Sequence, residues 1–183
     1  MKRLLAIILI LQVQQSAFGL NVDSLRTIIK TEKEDSTNFK ARIKLGYHLG
    51  RINREHAMLF ADTMITDARV KEYAFGEMYG WVIKANSARG LGQSDSALVY
   101  FQNAVNAGKR DSLYDKIDRI QMYVGLCYSD LNNYEKAIEE MKLSMEWAKS
   151  GKDTSTMTTC YQNMGHCYFT KGDYNGALGC YLS

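Results

Sequence analysis

Apolar residues return along this chain with a helical period rather than a strand period. Between Tyr134 and Ala148, the positions Ala137, Ile138, Met141, Met145 and Ala148 stand at i, i+1, i+4, i+8 and i+11, while Glu135, Lys136, Glu139, Glu140 and Lys142 fill the opposite side. This is the stripe of an amphipathic α-helix whose charges form a solvated face. A longer period is superimposed on the short one: Ala57, Ala97, Ala137 and Ala177 recur at intervals of 40 residues. Aligned on these alanines, a mostly small residue lies eleven to twelve positions earlier (Gly46 or Leu45, Ala85, Gly125, Gly165), and a residue that is large in three of the four copies lies four later (Ala61, Phe101, Met141, Tyr181). His48, Ala88, Tyr128 and Tyr168 occupy the position nine earlier; Ala41, Trp81, Gln121 and Tyr161 occupy the position sixteen earlier. Such a pattern predicts pairs of antiparallel helices. A small residue late in the first helix lets the backbone of the second approach at its alanine, and larger side chains fill the space on either side. Neither helix could bury its apolar face alone.

The breaks between helices are short and polar: Gly92-Gln93-Ser94, Asn132-Asn133 and Gly172-Asp173, with Ser94, Asn133 and Asp173 expected as N-caps of the second helices. Proline, which removes a backbone donor and clashes inside a helix, is absent from all 183 residues, consistent with long uninterrupted helices.

The segment Gly165-His166-Cys167-Tyr168-Phe169-Thr170-Lys171-Gly172-Asp173-Tyr174-Asn175-Gly176-Ala177-Leu178 resembles the core of the tetratricopeptide repeat, as does Gly125-Leu126-Cys127-Tyr128 leading to Asn133-Tyr134-Glu135-Lys136-Ala137-Ile138. The copy from Trp81 to Phe101 is a moderate match, with Lys84 where a large apolar residue is usual. The copy from Leu45 to Ala61 is a weak one that reads best with a turn one residue short. The resemblance implies an all-α superhelical solenoid of about four stacked helix pairs, at 36–72, 73–110, 111–150 and 151–183. Its structural signature is Ala57, Ala97, Ala137, Ala177, Gly125, Gly165, Tyr128 and Tyr168. Six residues more than the family's usual period imply helices longer by one to two turns. The long period is similar to that of exported sensory regions from Bacteroidetes-like bacteria, which precede a histidine kinase or a DNA-binding regulator domain. In such repeats the first helices line a concave groove. The corresponding positions are Tyr79, Val82, Asn86 and Arg89; Arg119, Met122, Leu126 and Ser129; and Gln162, His166 and Phe169. That mixture of aromatic, aliphatic, amide and guanidinium groups suits a protein or peptide partner. The last copy ends six residues after Ala177, so further repeats or an output domain in cis are expected beyond Ser183.

The N-terminus changes the picture of where this takes place. Lys2 and Arg3, the apolar run from Leu4 to Leu11, and Ala17-Phe18-Gly19 have the order of a signal peptide over 1–19, cleaved after Gly19. Eight apolar residues fall short of the roughly 20 that cross a bilayer as a helix. The chain is therefore expected to be exported, periplasmic or extracytoplasmic, with no membrane span after cleavage. Leu25, Ile28 and Ile29 after Asp23-Ser24 predict a capping helix within 20–35. Cleavage takes the formal charge from 23 − 20 = +3 to 21 − 20 = +1. That near-neutral balance gives no reason to expect a nucleic-acid partner.

Candidate chemistry is sparse. His48, His56 and His166 form no ligand spacing with one another or with cysteine, and His166 and Cys167, as neighbours on a helix, point about 100° apart. Neither a metal site, a cofactor nor catalysis is expected. Cys160 and Cys167 lie about two helical turns apart, too far for a disulfide, and Cys127 and Cys167 share a repeat position suited to a small buried side chain. An enzyme or carbohydrate-binding solenoid would show carboxylates among the groove positions, and the expected set holds none. A pure spacer remains the third reading.

Overall fold

The computed structural model describes residues 36–183 and Thr27; apart from Thr27, the expected leader and capping helix lie outside the described residues. From Ser36 onward eight helices follow one another: α1 Ser36–Ile52, α2 Arg54–Val70, α3 Ala74–Gly90, α4 Ser94–Arg110, α5 Tyr114–Asp130, α6 Tyr134–Gly151, α7 Thr154–Thr170 and α8 Tyr174–Tyr181. No strand occurs among the described residues.

From α3 onward the helices begin at 74, 94, 114, 134, 154 and 174, a spacing of 20 residues. The turns explain this regularity. Glu72, Gly92, Ser112, Asn132, Lys152 and Gly172 all take a left-handed backbone with φ between 54° and 82°. At every one, the following residue's N–H reaches back to the carbonyl five positions earlier, as Tyr73 does to Ala68 and Asp173 to Tyr168, and the left-handed residue itself bonds three positions back. This double closure satisfies the orphan carbonyls of a helix end. The residue that completes it is also the N-cap of the next helix, so the chain reverses in three residues. Asn133, Asp153 and Asp173 add a side-chain cap, accepting from the N–H of Lys136, Thr156 and Gly176. Ser94 does not cap α4. Gln93 occupies that position without a side-chain bond, and Ser94 is the first helical residue, turned inward to hydrogen-bond distance of Asp130. The α1–α2 connection is shorter than anticipated, a single residue, Asn53, which caps α2 by accepting from the His56 N–H.

Each helix packs on the next, and odd-numbered helices also pack on each other, α1 on α3 and α5 on α7. In a curved stack the layer whose members approach one another is the inner one, so α1, α3, α5 and α7 form the concave side.

The repeat alanines are the close crossings: Ala57, Ala97, Ala137 and Ala177 are all buried. A Cβ added at Gly125 would stand 3.0 Å from the Ala137 carbonyl oxygen and 2.9 Å from Met141 Cγ. At Gly165 it would meet the Tyr181 ring at 2.6 Å. In the first pair, Leu45 is the residue that joins Ala57 in the core, whereas Gly46 faces Ile83 of α3. Tyr128 and Tyr168 are half-buried at the cluster edges. Three apolar clusters run through the stack, around Phe60 and Met64, around Phe101 and Ile117, and around Met141 and Cys160. Fully burying side chains of this size stabilises by about 1.5–3 kcal/mol each.

Lys84, the irregular residue of the second repeat, finds its own place. Its ammonium lies 2.5 Å from Asp62 of α2 and 4.8 Å above the Tyr100 ring, beside Trp81. The aliphatic stem supplies the apolar contact usual at that position, and the charge leaves the core at its tip.

Candidate groove on the inner helices

The inner helices α3, α5 and α7 have their first and last turns held by the closures described above, so their side chains project from a fixed frame. On the inner face lies a cavity of about 700 Å³ lined from α1 by Lys40, Ile43, Lys44 and Tyr47, from α3 by Phe75, Tyr79 and Val82, and from α5 by Asp115, Lys116, Asp118, Arg119, Ile120 and Tyr123, with Asp153 at the start of α7. A second cavity of about 670 Å³ lies at the C-terminal ends of the same helices, where Arg51, Arg54 and Arg89 surround Asn86 and Ser87, with Asp130 opposite. Tyr47 lines both.

Aromatic rings dominate the floor of the first. Phe75 and Tyr79 lie 4.7 Å apart, and Tyr123 stacks at 5.4 Å on Phe101 of the core, so the floor continues into the packed interior. Burial pushes the Tyr47 hydroxyl well above its ordinary value, reinforced by Tyr79 and Tyr123 and opposed by Arg119. Tyr47 nevertheless keeps 41% of its surface open, because the groove crowds the ring without closing over it. Burial likewise raises Tyr79, against Lys116 and Arg119. Both phenols therefore stand as neutral hydrogen-bonding groups at the end of apolar rings, the amphipathic character common at contact surfaces.

The charged groups are mostly paired within the wall. Lys116 lies 2.9 Å from Asp115, and Arg119 donates to Asp153 at 3.1 Å. Hydrogen bonds from the Thr156 backbone and hydroxyl hold Asp153 below the usual carboxylate range. Asp118 is 5% exposed; burial raises its carboxyl, tempered by the Arg119 N–H that it accepts at 2.7 Å. At the second cavity Arg89 grips Asp130 through two hydrogen bonds of 2.6 and 3.2 Å.

The expected groove residues divide into four groups. Tyr79 and Arg119 line the first cavity, and Asn86 and Arg89 the second. Val82 and Met122 are corrected: at 1% and 5% exposure they belong to the core, and only an edge of Val82 reaches the cavity. Leu126 is half-buried against the last apolar cluster, and Ser129 accepts from Cys167 Sγ at 3.5 Å. Gln162, His166 and Phe169 stay exposed on α7 away from both cavities, with Phe169 set edge-on to Tyr174 at 5.5 Å. The expectation of a wall without carboxylates fails, since Asp115, Asp118 and Asp153 all face the first cavity. They were missed because Asp115 and Asp118 lie one turn before the positions carried over, and Asp153 reaches the groove only because its turn abuts α5. Lys40, Lys44 and Tyr47 were missed because the first copy matches the repeat pattern weakly.

Elsewhere the cysteines are free and Cys127, Cys160 and Cys167 are buried; burial pushes the Cys127 thiol up to about 12, away from reactivity. Among the described residues no three His, Cys, Asp or Glu side chains come together as a metal site, and no helix is long and apolar enough to cross a membrane.

Residues 120–150 match the family model described as tetratricopeptide repeat. No curated protein matches the chain. Solved structures with a similar fold include the apo form of RapI, 21% identical, covering 87% of this chain and 60% of that one with a TM-score of 0.74. A Rap protein complexed with competence and sporulation factor is 15% identical over 87% of this chain and 46% of that one, TM-score 0.76. Aspartyl phosphate phosphatase F from Bacillus subtilis is 16% identical over 86% and 41%, TM-score 0.75. The chain thus spans between 41% and 60% of the length of these three. At such identities the likeness is one of fold.

Proposed function

Because the chain is of tetratricopeptide-repeat type, a stack in which each helix pair is buried against its neighbours, we propose that it is a protein-interaction scaffold that holds a peptide or protein segment in the groove of α1, α3 and α5. The observation that carries this reading is the cavity of about 700 Å³ whose aromatic floor, Phe75, Tyr79 and Tyr123, is continuous with the core while its rim is polar. A rigid apolar floor with polar groups at its edge suits side chains docked in pockets and a backbone held by hydrogen bonds. One protein of similar fold was captured with competence and sporulation factor bound, in keeping with a binding role. Another is named a phosphatase, but that is a statement about that protein, and the groove here offers carboxylates that are capped, paired or buried rather than poised.

The finer reading places this scaffold outside the cytoplasm, after removal of residues 1–19, as the sensing half of a longer signalling protein. Fractionation of cells expressing the tagged chain should find it in the envelope with Leu20 as its first residue; an intact Met1 in the cytosol rejects this location. The groove itself is tested by a photo-reactive amino acid placed at Tyr79 and, separately, at Val99, exposed on α4. A cross-linked polypeptide from Tyr79 but not Val99 supports the proposal, and equal products from both positions overturn it.

A further inference from the structure

The charge on the inner face is not evenly spread. Helix α1 carries Lys40, Arg42, Lys44 and Arg51 and no acidic residue, whereas α5 mixes Asp115, Asp118 and Asp130 with Lys116 and Arg119, and α7 has no Asp, Glu, Lys or Arg. Arg42 is turned into the core, 2.6 Å from Asp67. Lys40 and Lys44, one turn apart on the same face, are exposed and line the cavity. Neither forms an ion pair among the described residues, while the cations across the groove, Lys116 and Arg119, are matched to Asp115 and Asp153. Past Tyr47, the second cavity is lined by Arg54 and Arg89 with one carboxylate, Asp130, held by Arg89.

We infer that the groove selects an acidic polypeptide segment, its Asp or Glu side chains seated against Lys40 and Lys44 on α1 and its apolar side chains over Tyr47, Tyr79 and Tyr123. The inference rests on the groove reading above and adds the composition and placement of the ligand. Ammonium groups beside the low-dielectric walls of Ile43 and Phe75 attract an incoming carboxylate more strongly than lysines on open surface. A small oxyanion would satisfy the lysines and leave the aromatic floor uncovered. A continuous polyphosphate backbone would run into Asp115, Asp118 and Asp153 at the far side of the cavity. A segment with acidic residues at one end and apolar residues beyond them matches both halves.

The test is selection of a random peptide library displayed on phage against the full chain, against Tyr79→Ala, and against the double variant Lys40→Glu with Lys44→Glu. Both lysines are solvent-exposed, and unchanged circular dichroism verifies that the double variant is folded. Peptides enriched on the native chain should be rich in Asp and Glu, those enriched on the double variant should not, and both sets should be lost on Tyr79→Ala. An enriched peptide resynthesised with Asn and Gln for its acids should bind the native chain about tenfold more weakly at low salt, and bind the double variant without that loss. Enriched peptides without acidic bias, or an acidic bias that survives the double variant, overturn this inference and leave the groove reading standing. Peptides retained equally by Tyr79→Ala, or no enrichment at all, overturn both.

Discussion

Glu77 stands at the fourth position of α3, the place that the even-numbered helices give to alanine, and it is a carboxylate only 3% exposed. Its burial is compensated by Arg69 of α2 at 2.7 Å, by Arg110 of α4 and by the Trp81 indole N–H at 3.4 Å, so one side chain ties three helices together. Burial alone would raise its pKa, but the hydrogen bonds from Arg110, Arg69 and Trp81 outweigh it and hold the carboxyl below its ordinary 4.5. Because the folded value is the lower one, the stabilisation is complete above about pH 4.5 and is lost as pH falls through the depressed folded value. Urea titrations across pH should show this acid limb in the native chain and a flatter one in Glu77→Gln. Glu77→Ala should cost about 2 kcal/mol at neutral pH, below the roughly 3–5 kcal/mol typical of a fully buried pair because both arginines are more than half exposed and regain water. Gly125 makes the opposite demand. Its added Cβ would press on the Ala137 carbonyl oxygen, which is backbone and cannot rotate away. Gly125→Ala should therefore destabilise by about 1–2 kcal/mol in thermal unfolding, although alanine is the better helix former by about 0.5–1 kcal/mol.

At the scale of the element, the six left-handed turn residues decide the geometry, and only Gly92 and Gly172 are of the type that takes that conformation without cost. Glu72, Ser112 and Lys152 carry side chains there, and Asn132 is an intermediate case. Ser112→Gly should raise stability by about 0.5–1 kcal/mol and Gly92→Ala should lower it by a similar amount. Gly92 has open space around its Cβ direction, so any loss there comes from backbone strain and not from crowding. Equal effects of both signs at the two sites, read from denaturant midpoints, would show that backbone conformation sets these turns; no effect at either would show that helix packing alone does. This 20-residue rhythm is hidden in the sequence because the six residues share a backbone angle and little chemistry. Glycine-based turn rules could find 92 and 172, but not 72, 112 or 152.

At the scale of the molecule, packing passes from each helix to the next, so stability is a sum of neighbouring interfaces. The central cluster around Phe101 and Ile117 is flanked on both sides, while α8 has eight residues and leaves Tyr174, Leu178, Tyr181 and Leu182 exposed. Amide exchange should therefore be slowest in α3 to α6 and fastest in α8. Phe101→Ala should cost about 3–5 kcal/mol and speed exchange throughout the stack. Uniform protection from α1 to α8 would contradict a nearest-neighbour stack.

The sequence by itself determined the helix pairs and their crossings. The 40-residue alanines, with Gly125 and Gly165 before them, record a local steric requirement: two backbones that approach closely tolerate only small side chains, and that demand is met residue by residue. Tertiary structure decided the rest of the groove beyond Tyr79, Asn86, Arg89 and Arg119. Its wall draws Lys40, Tyr79, Asp118 and Asp153 from segments far apart in the chain, and whether Val82 and Met122 face it or the core depends on the rotation of each helix against its neighbours. A period of 40 fixes where the helices touch, but the rotation of each helix about its own axis, set by packing on both sides, fixes which side chains are left open to a partner.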